Sequence, residues 1–190
     1  MKLRLITAPA SEPIVNTDVE SYQRITNTAE RTELDRFIKS SREYAENIVL
    51  HRALLTQTWE LYLDQWPEND YIELPKPPLQ SVTYIKYKDT QGTEYTLDAA
   101  NYVVDTIPEP ARVVLAYGRT WPTTILYPAT AIRIRFVCGY TQASDIPKSI
   151  INGLLYHTGL LYERRDTEVT ANELKTLENI YAPYALPRRW

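Results

Sequence analysis

The chain has 190 residues, 44% of them hydrophobic and 24% charged, with a formal net charge of −3. Such proportions belong to a folded domain, and the mild acidity excludes an overall basic field that would gather nucleic acid. No apolar run approaches the ~20 residues of a membrane helix, Met1–Pro13 lacks the basic-then-apolar order of a secretory signal, and a single cysteine, Cys138, excludes an internal disulfide framework. Synthesis in a reducing cytoplasm is expected. Fifteen tyrosines and four tryptophans accompany only two phenylalanines. Aromatic rings with polar tips suit the half-buried faces of a β-rich domain, and also surfaces that are wet in one state and covered in another.

In chain order, Leu3, Leu5 and Ile6 mark an edge strand or an extended arm. Thr17 followed by Glu20 has capping-box spacing, and Val19, Tyr22 and Ile25 then give a short amphipathic helix that Asn27 and Thr28 end. A longer helix over Thr32–Val49 carries Leu34, Phe37, Ile38, Ser41, Tyr44, Ala45 and Ile48 on one stripe. Arg36, Lys39, Arg42, Glu43 and Glu46 lie opposite, as a solvated or ion-paired face.

Alternation then takes over. Thr56–Asp64 reads as a strand with Trp59, Leu61 and Leu63 on one face, followed by a turn at Trp66–Asp70. The stretch Ile72–Leu97 is read as the hairpin around which the β part is organised. Pro75, Pro77 and Pro78 make a stiff entry, Ser81–Lys88 alternates as a strand, Asp89–Gly92 turns, and Thr93–Leu97 returns. Tyr102–Val104 and Arg112–Ala116 flank a turn at Pro108–Pro110. Trp121 opens an irregular loop to Pro128, and Ala131–Cys138 forms a strand with Arg133 and Arg135 on a wet face.

Helical periodicity resumes beyond Cys138. Asp145 is placed to cap, and Pro147 falls in the first turn. Ile150, Ile151, Leu154, Leu155, Thr158, Leu161 and Tyr162 form a broad apolar face. Gly153 and Gly159 each cost about 1 kcal/mol relative to alanine inside a helix. Close approach of another helix would offset that cost, and the Thr32–Val49 helix is the expected neighbour. Thr170 and Glu173 form a second capping box, and Leu174, Leu177 and Tyr181 continue a last helix ending before Pro183. The expected fold is therefore α+β in a single domain, 1–190. A helical bundle body (14–50 and 145–182) of two N-terminal and two C-terminal helices carries a large inserted antiparallel β block (54–140) and a tail (183–190).

The chemistry-bearing residues form no recognisable centre. His51 and His157 adjoin apolar helix faces, where a structural role outweighs catalysis. No ligand set has zinc spacing, and no glycine-rich phosphate loop or nucleophile elbow occurs, so no metal and no cofactor is expected. Glu60, Asp64, Glu73 and Asp105 lie near strand ends, but nothing selects a catalytic pair among them. The doublets Arg164-Arg165 and Arg188-Arg189 fit ion pairs or solvated ends, with contact to a partner's acidic groups or a phosphate as the sharper reading for the second. Trp59, Trp66 and Trp121 beside turns fit either a plugged core or a glycan-binding surface.

One ordered set of residues goes further. Gln57-Thr58-Trp59-x-Leu61-x-Leu63-Asp64-x-Trp66-Pro67 is followed by Ile72-x-Leu74-Pro75-x-Pro77-Pro78-Leu79-x-Ser81-Val82. Asp89-x-x-Gly92, Tyr102-x-Val104-Asp105 and Trp121-Pro122 come next. Ala131-Ile132-Arg133-Ile134-Arg135-Phe136-x-x-Gly139-Tyr140, Ile146-Pro147-x-x-Ile150 and Tyr162-Glu163-x-Arg165 complete it. Together, over about Thr17–Pro187, these resemble the head-to-tail connector (adaptor) proteins of tailed bacteriophages, prophages and phage-derived gene transfer particles. The resemblance implies a helical body with a β insertion and a non-enzymatic virion protein. It implies a homo-oligomeric ring, commonly dodecameric, docked beneath the portal protein at the head–tail junction and made in the bacterial cytoplasm. Such a ring continues the channel for double-stranded DNA toward a stopper or tail-completion protein, without tight DNA binding and without a membrane. The C-terminal helix and tail of such proteins commonly engage the portal, which points here to Leu174, Leu177, Tyr181, Tyr184, Arg188, Arg189 and Trp190. A glycan- or protein-binding module of the tail or baseplate is the alternative. The β block departs from the simpler, nearly all-helical connectors.

Overall fold

The computed structural model describes residues 2–165 and 169–187. The fold is α+β, with four helices and two antiparallel sheets. The chain divides into two compact units, one of residues up to Pro9 with Thr56–Gly139, the other of Ala10–Leu55 with residues from Tyr140 on.

The helical unit contains α1 (Asn16–Gln23), α2 (Arg31–Tyr44), α3 (Lys148–Glu163) and α4 (Ala171–Tyr181). Helix α3 packs on each of the other three. Val19, Leu34, Ile38, Leu50, Leu54, Ile150, Leu154, Leu177 and Tyr181 form one buried cluster drawn from all four helices and the segment after α2. At roughly 1.5–3 kcal/mol per fully buried large apolar side chain, this shared cluster is what holds the two ends of the sequence together.

Several local expectations shift. The Thr17–Glu20 box does not form, because α1 starts two residues earlier. Val15 is its cap residue, and the Val15 N–H is accepted by Asp18 at 2.9 Å. Glu20 instead receives Arg31 at 2.7 Å. Helix α1 ends at Gln23, with Arg24 left-handed at φ 56°, before Asn27 is reached. Asp145 lies in a short turn, Ala143–Asp145, and Pro147 rather than Asp145 occupies the cap position of α3.

The α2 stripe holds as far as Ala45 and then rotates. Over Ala45–Val49 the helix widens, and the Leu50 N–H reaches Ala45 O at 2.8 Å. An i→i+5 turn lengthens the period, so Ile48, expected inside, is 59% exposed, while Glu46, expected outside, is buried. Arg42 is buried as well, because Glu12, ahead of α1, covers it with a 2.6 Å ion pair. The glycine expectation is also corrected. Gly153 faces Tyr181 of α4 and Gly159 faces Gln23 of α1, whereas α2 meets α3 elsewhere, Ser41 Oγ donating to Leu154 O at 3.3 Å.

The β unit holds two sheets. The first has the order β1-β2-β8-β4-β5, from β1 (Lys2–Thr7), β2 (Gln57–Leu63), β8 (Ile132–Cys138), β4 (Leu79–Lys88) and β5 (Glu94–Thr96). The second has the order β3-β7-β6, from β3 (Tyr71–Leu74), β7 (Ala111–Leu115) and β6 (Tyr102–Asp105). The β4–β5 hairpin is as expected, and Gly92 at its turn takes φ 81°, a conformation open to glycine at no steric cost. The organising strand is nevertheless β8, which pairs with both β2 and β4, while Ile72 and its neighbours join the other sheet. Residues Lys2–Thr7 form an edge strand. Leu61, Ile85, Ile132, Ile134 and Phe136 of the first sheet are fully buried, as are Ala111 and Val113 of the second to within 1%.

Candidate functional site

At the C-terminal end, the Thr170 capping box forms as expected. Glu173 Oε2 accepts from the Thr170 N–H and hydroxyl at 2.8 Å each, and Thr170 Oγ1 accepts from the Glu173 N–H at 3.4 Å. The box fixes the phase of α4, which turns Leu177 and Tyr181 into the core at 0% exposure. Both residues were expected at a partner interface. Their burial instead assigns them to holding α4 on α3, where the Tyr181 ring lies against Gly153. Leu174 and Tyr184 remain half-exposed and accessible. The segment after α4 is tied to the body, with Leu186 N–H on Leu50 O at 3.2 Å and Arg52 Nε on Tyr184 O at 3.1 Å. Within the expected tail, Tyr184 and Leu186 are thus held on the body. Arg188, Arg189 and Trp190 lie outside the described residues.

The other arginine doublet is structural. Arg164 pairs with Glu173 at 2.8 Å, and Arg165 pairs with Glu30 at 3.2 Å while lying over the Tyr162 ring. His157 is 4% exposed, edge-on to Tyr44 at 4.8 Å, and burial lowers its pKa to about 4. It stays neutral and apolar-facing, as a packing residue would.

The candidate carboxylates are spent on structure. Asp64 accepts the Thr130 N–H at 2.7 Å, Asp105 holds Arg112 at 2.8 Å, and Glu73 stands opposite Arg112 in the β3–β7 ladder. Glu60, named among these carboxylates, has a buried, fully partnered setting that its position near a strand end did not announce. It is 2% exposed, and receives Tyr84 at 2.7 Å, Arg135 at 2.7 Å and the Tyr62 hydroxyl. Burial pushes its carboxyl up, but hydrogen bonds from Tyr62, Tyr84 and Arg135 outweigh that and leave it below the usual range. The alternation Glu60, Tyr62 opposite Arg133, Arg135 was the available signal, since polar residues on facing strand positions are forced into contact.

The tryptophans divide between packing and a groove. Trp66 stacks on Trp121 at 4.9 Å and 5°, Trp121 Nε1 donates to Asn69 O at 2.9 Å, and Trp66 meets Tyr87 edge-on at 5.7 Å. Beside them a groove of about 370 Å³ is lined by Tyr87, Asp98, Asn101, Thr120, Trp121 and Thr123, among others. Trp59 is separate, with Lys76 Nζ 5.5 Å from its ring centroid. Among the described residues no group of three or more His, Cys, Asp and Glu side chains is arranged to hold a metal ion. No described helix is long and apolar enough to cross a membrane.

No protein-family model matches the chain, and no curated protein matches it. Solved structures do. A chain in the neck of an empty gene transfer agent particle, computed with C6 symmetry, superposes with a TM-score of 0.83 at 20% identity, covering 100% of this chain and 98% of that one. The fold is that of a gene transfer agent neck chain. A chain of the native gene transfer agent virion matches with a TM-score of 0.81, and one from a native neck computed with C12 symmetry with 0.74, both at 20% identity and the same coverage. The likeness to these neck chains extends through both units, so the β unit is part of the shared fold rather than an addition to it.

Proposed function

We propose that this chain is a structural protein of the neck of a phage-like particle. It assembles as a closed ring beneath the portal protein, joins the DNA-filled head to the tail and continues the DNA channel toward a stopper or tail-completion protein. The end-to-end match to gene transfer agent neck chains is the observation that carries this reading. A dodecameric ring agrees with both symmetries of those necks, because a twelve-fold axis contains a six-fold one. In such a ring each copy presents two different faces to its neighbours. Its place is the head–tail junction of the virion, after synthesis in the bacterial cytoplasm, and it performs no catalysis. The surface of α4 at Leu174, the adjoining Tyr184 and the tail Arg188, Arg189 and Trp190 supply the portal contact.

The test is electron microscopy of the protein mixed with the portal protein of the same particle. An added ring on one end of the portal is the expected result, and its symmetry is then read directly. Absence of added density at high protein excess overturns the reading. The Trp121 groove favours a second reading, a glycan-binding module of the tail or baseplate. Saturable sugar binding in titration calorimetry, lost in Trp121→Ala, would establish it.

A further inference from the structure

The strand register places six basic side chains on one face of the five-stranded sheet. Directly opposed residues share a face, so Lys2↔Tyr62, Arg4↔Glu60, Tyr62↔Arg133, Glu60↔Arg135, Arg135↔Tyr84, Arg133↔Lys86 and Lys88↔Glu94 all lie on the same side. That side carries Lys2, Arg4, Lys86, Lys88, Arg133 and Arg135 against two carboxylates, Glu60 and Glu94. A surplus of four positive charges thus sits on a chain whose net charge is −3.

The two carboxylates are fully occupied. Glu94 holds Lys86 and Arg133 at 2.8 Å each, and Glu60 holds Arg135 at 2.7 Å. Lys86, Arg133 and Arg135 also surround the Tyr84 ring at 5.1, 5.5 and 5.1 Å, which fixes their positions. Lys2, Arg4 and Lys88 are exposed and make no ion pair among the described residues.

We infer that this sheet face is a contact surface for the phosphate backbone of duplex DNA. Three features favour a nucleic acid over an acidic protein. Protein-binding surfaces deplete charge at their centre, whereas this face rings its half-buried Tyr62 and Tyr84, both hydrogen-bonded to Glu60, with charge and exposes no large apolar side chain at its strand positions. Interfaces with DNA are much more positive than those between proteins. The lattice also fits. Same-face residues recur about every 6.7 Å along a strand and about 4.8 Å across strands, so neighbouring cations can each meet a different phosphate of a duplex that carries one charge per ~1.7 Å of axis. The duplex as partner rests on the ring reading, which supplies DNA to the particle neck. A surplus of four charges gives weak, salt-screened contact, which suits DNA that must slide.

The experiment measures binding of a fluorescein-labelled 30-bp duplex (an arbitrary sequence, about three helical turns) by anisotropy across a salt series. The proteins are wild type and Lys2→Gln/Arg4→Gln/Lys88→Gln. These three side chains stabilise no ion pair, so the variant keeps its fold, and circular dichroism checks that. With about four phosphates neutralised, wild-type affinity should fall about 150-fold between 50 and 200 mM salt. With about one left, the variant should lose only about 3-fold, and at 50 mM it should bind far more weakly than wild type. Three results would overturn the proposal: no duplex binding by wild type at low salt, equal salt slopes for the two proteins, or poly-glutamate competing as well as DNA at equal charge. The last would reassign the face to an acidic protein. Ring formation on the portal is read separately by microscopy, so loss of DNA contact with rings intact distinguishes failure of this inference from failure of the ring reading.

Discussion

Gly153→Ala tests the close approach of α4 to α3. A Cβ built on Gly153 would stand 2.4 Å from Tyr181 Cε1 and 2.7 Å from its Cζ. Tyr181 is fully buried, so its ring cannot swing into solvent, and α4 itself has to shift to restore ordinary contact near 3.4 Å. Overpacking of this kind costs about 1–3 kcal/mol, against a gain of up to about 1 kcal/mol from removing a glycine inside a helix. The expected net is a loss of about 1–2 kcal/mol. Gly159→Ala is the control. Its Cβ meets only the side-chain end of Gln23, a half-exposed flexible residue that can turn away, so that variant should match or exceed wild-type stability. Urea unfolding gives both values from the midpoints at unchanged slope. Adding Tyr181→Ala to Gly153→Ala should make the pair non-additive, since the shortened residue removes the clash. Gly153→Ala as stable as wild type, or Gly159→Ala the worse of the two, would refute the assignment of these glycines to α4 and α1.

Arg42→Met should cost about 3–5 kcal/mol, because it leaves Glu46 buried without its 2.8 Å partner. Adding Glu46→Gln should recover most of that loss, the amide oxygen still accepting the Leu54 N–H that Glu46 now accepts at 2.8 Å, and chemical unfolding of both variants checks it. His157 gives a pH dependence: its folded pKa is depressed to about 4, so the unfolded chain takes up a proton first as pH falls below 6.5. Its contribution is complete above pH 6.5 and is lost on acidification, by about 2 kcal/mol at pH 5, and His157→Leu should flatten that part of the stability profile. Leu177→Ala should lower stability by about 2–5 kcal/mol, whereas Leu174→Ala should change it little and weaken portal binding, measured by co-sedimentation. Deleting Arg188–Trp190 should likewise weaken portal binding with thermal unfolding nearly unchanged; unchanged affinity would remove the tail from the contact.

Much of the architecture is legible because two periodicities alternate cleanly along the chain. The four helices, the β4–β5 hairpin, the strand of Ile132, Ile134 and Phe136, and the Thr170 cap all follow from local spacing. What local spacing does not contain is partner choice. Nothing in Ile72–Leu74 says that these residues leave their sequence neighbours for β7, and nothing near Gly153 says that its neighbour is a tyrosine twenty-eight positions later. Arg42 and Glu46 were misplaced for a related reason. A widened turn at Ala45–Val49 has no composition signal, and Glu12 covers Arg42 from outside the helix. The interface expectation failed at Leu177 and Tyr181 because an amphipathic stripe marks what a helix buries, not whether its own chain or a partner does the burying.

The same limit governs charge. A net value of −3 describes attraction at distances where the molecule acts as a point, but a ring lining a channel would hold DNA within a Debye length of its walls, about 8 Å at physiological salt. At that range the sheet register matters more than composition. Arg133 and Arg135, read as an ordinary wet strand face, become part of a concentrated positive surface only because β1, β2 and β4 bring Lys2, Arg4, Lys86 and Lys88 beside them. Glu60 and Glu94 neutralise part of that surface and hold it rigid. A chain that repels DNA at long range and contacts it weakly at short range would let the duplex pass without capturing it. Its expected signature is duplex binding that vanishes at physiological salt while ring assembly on the portal persists.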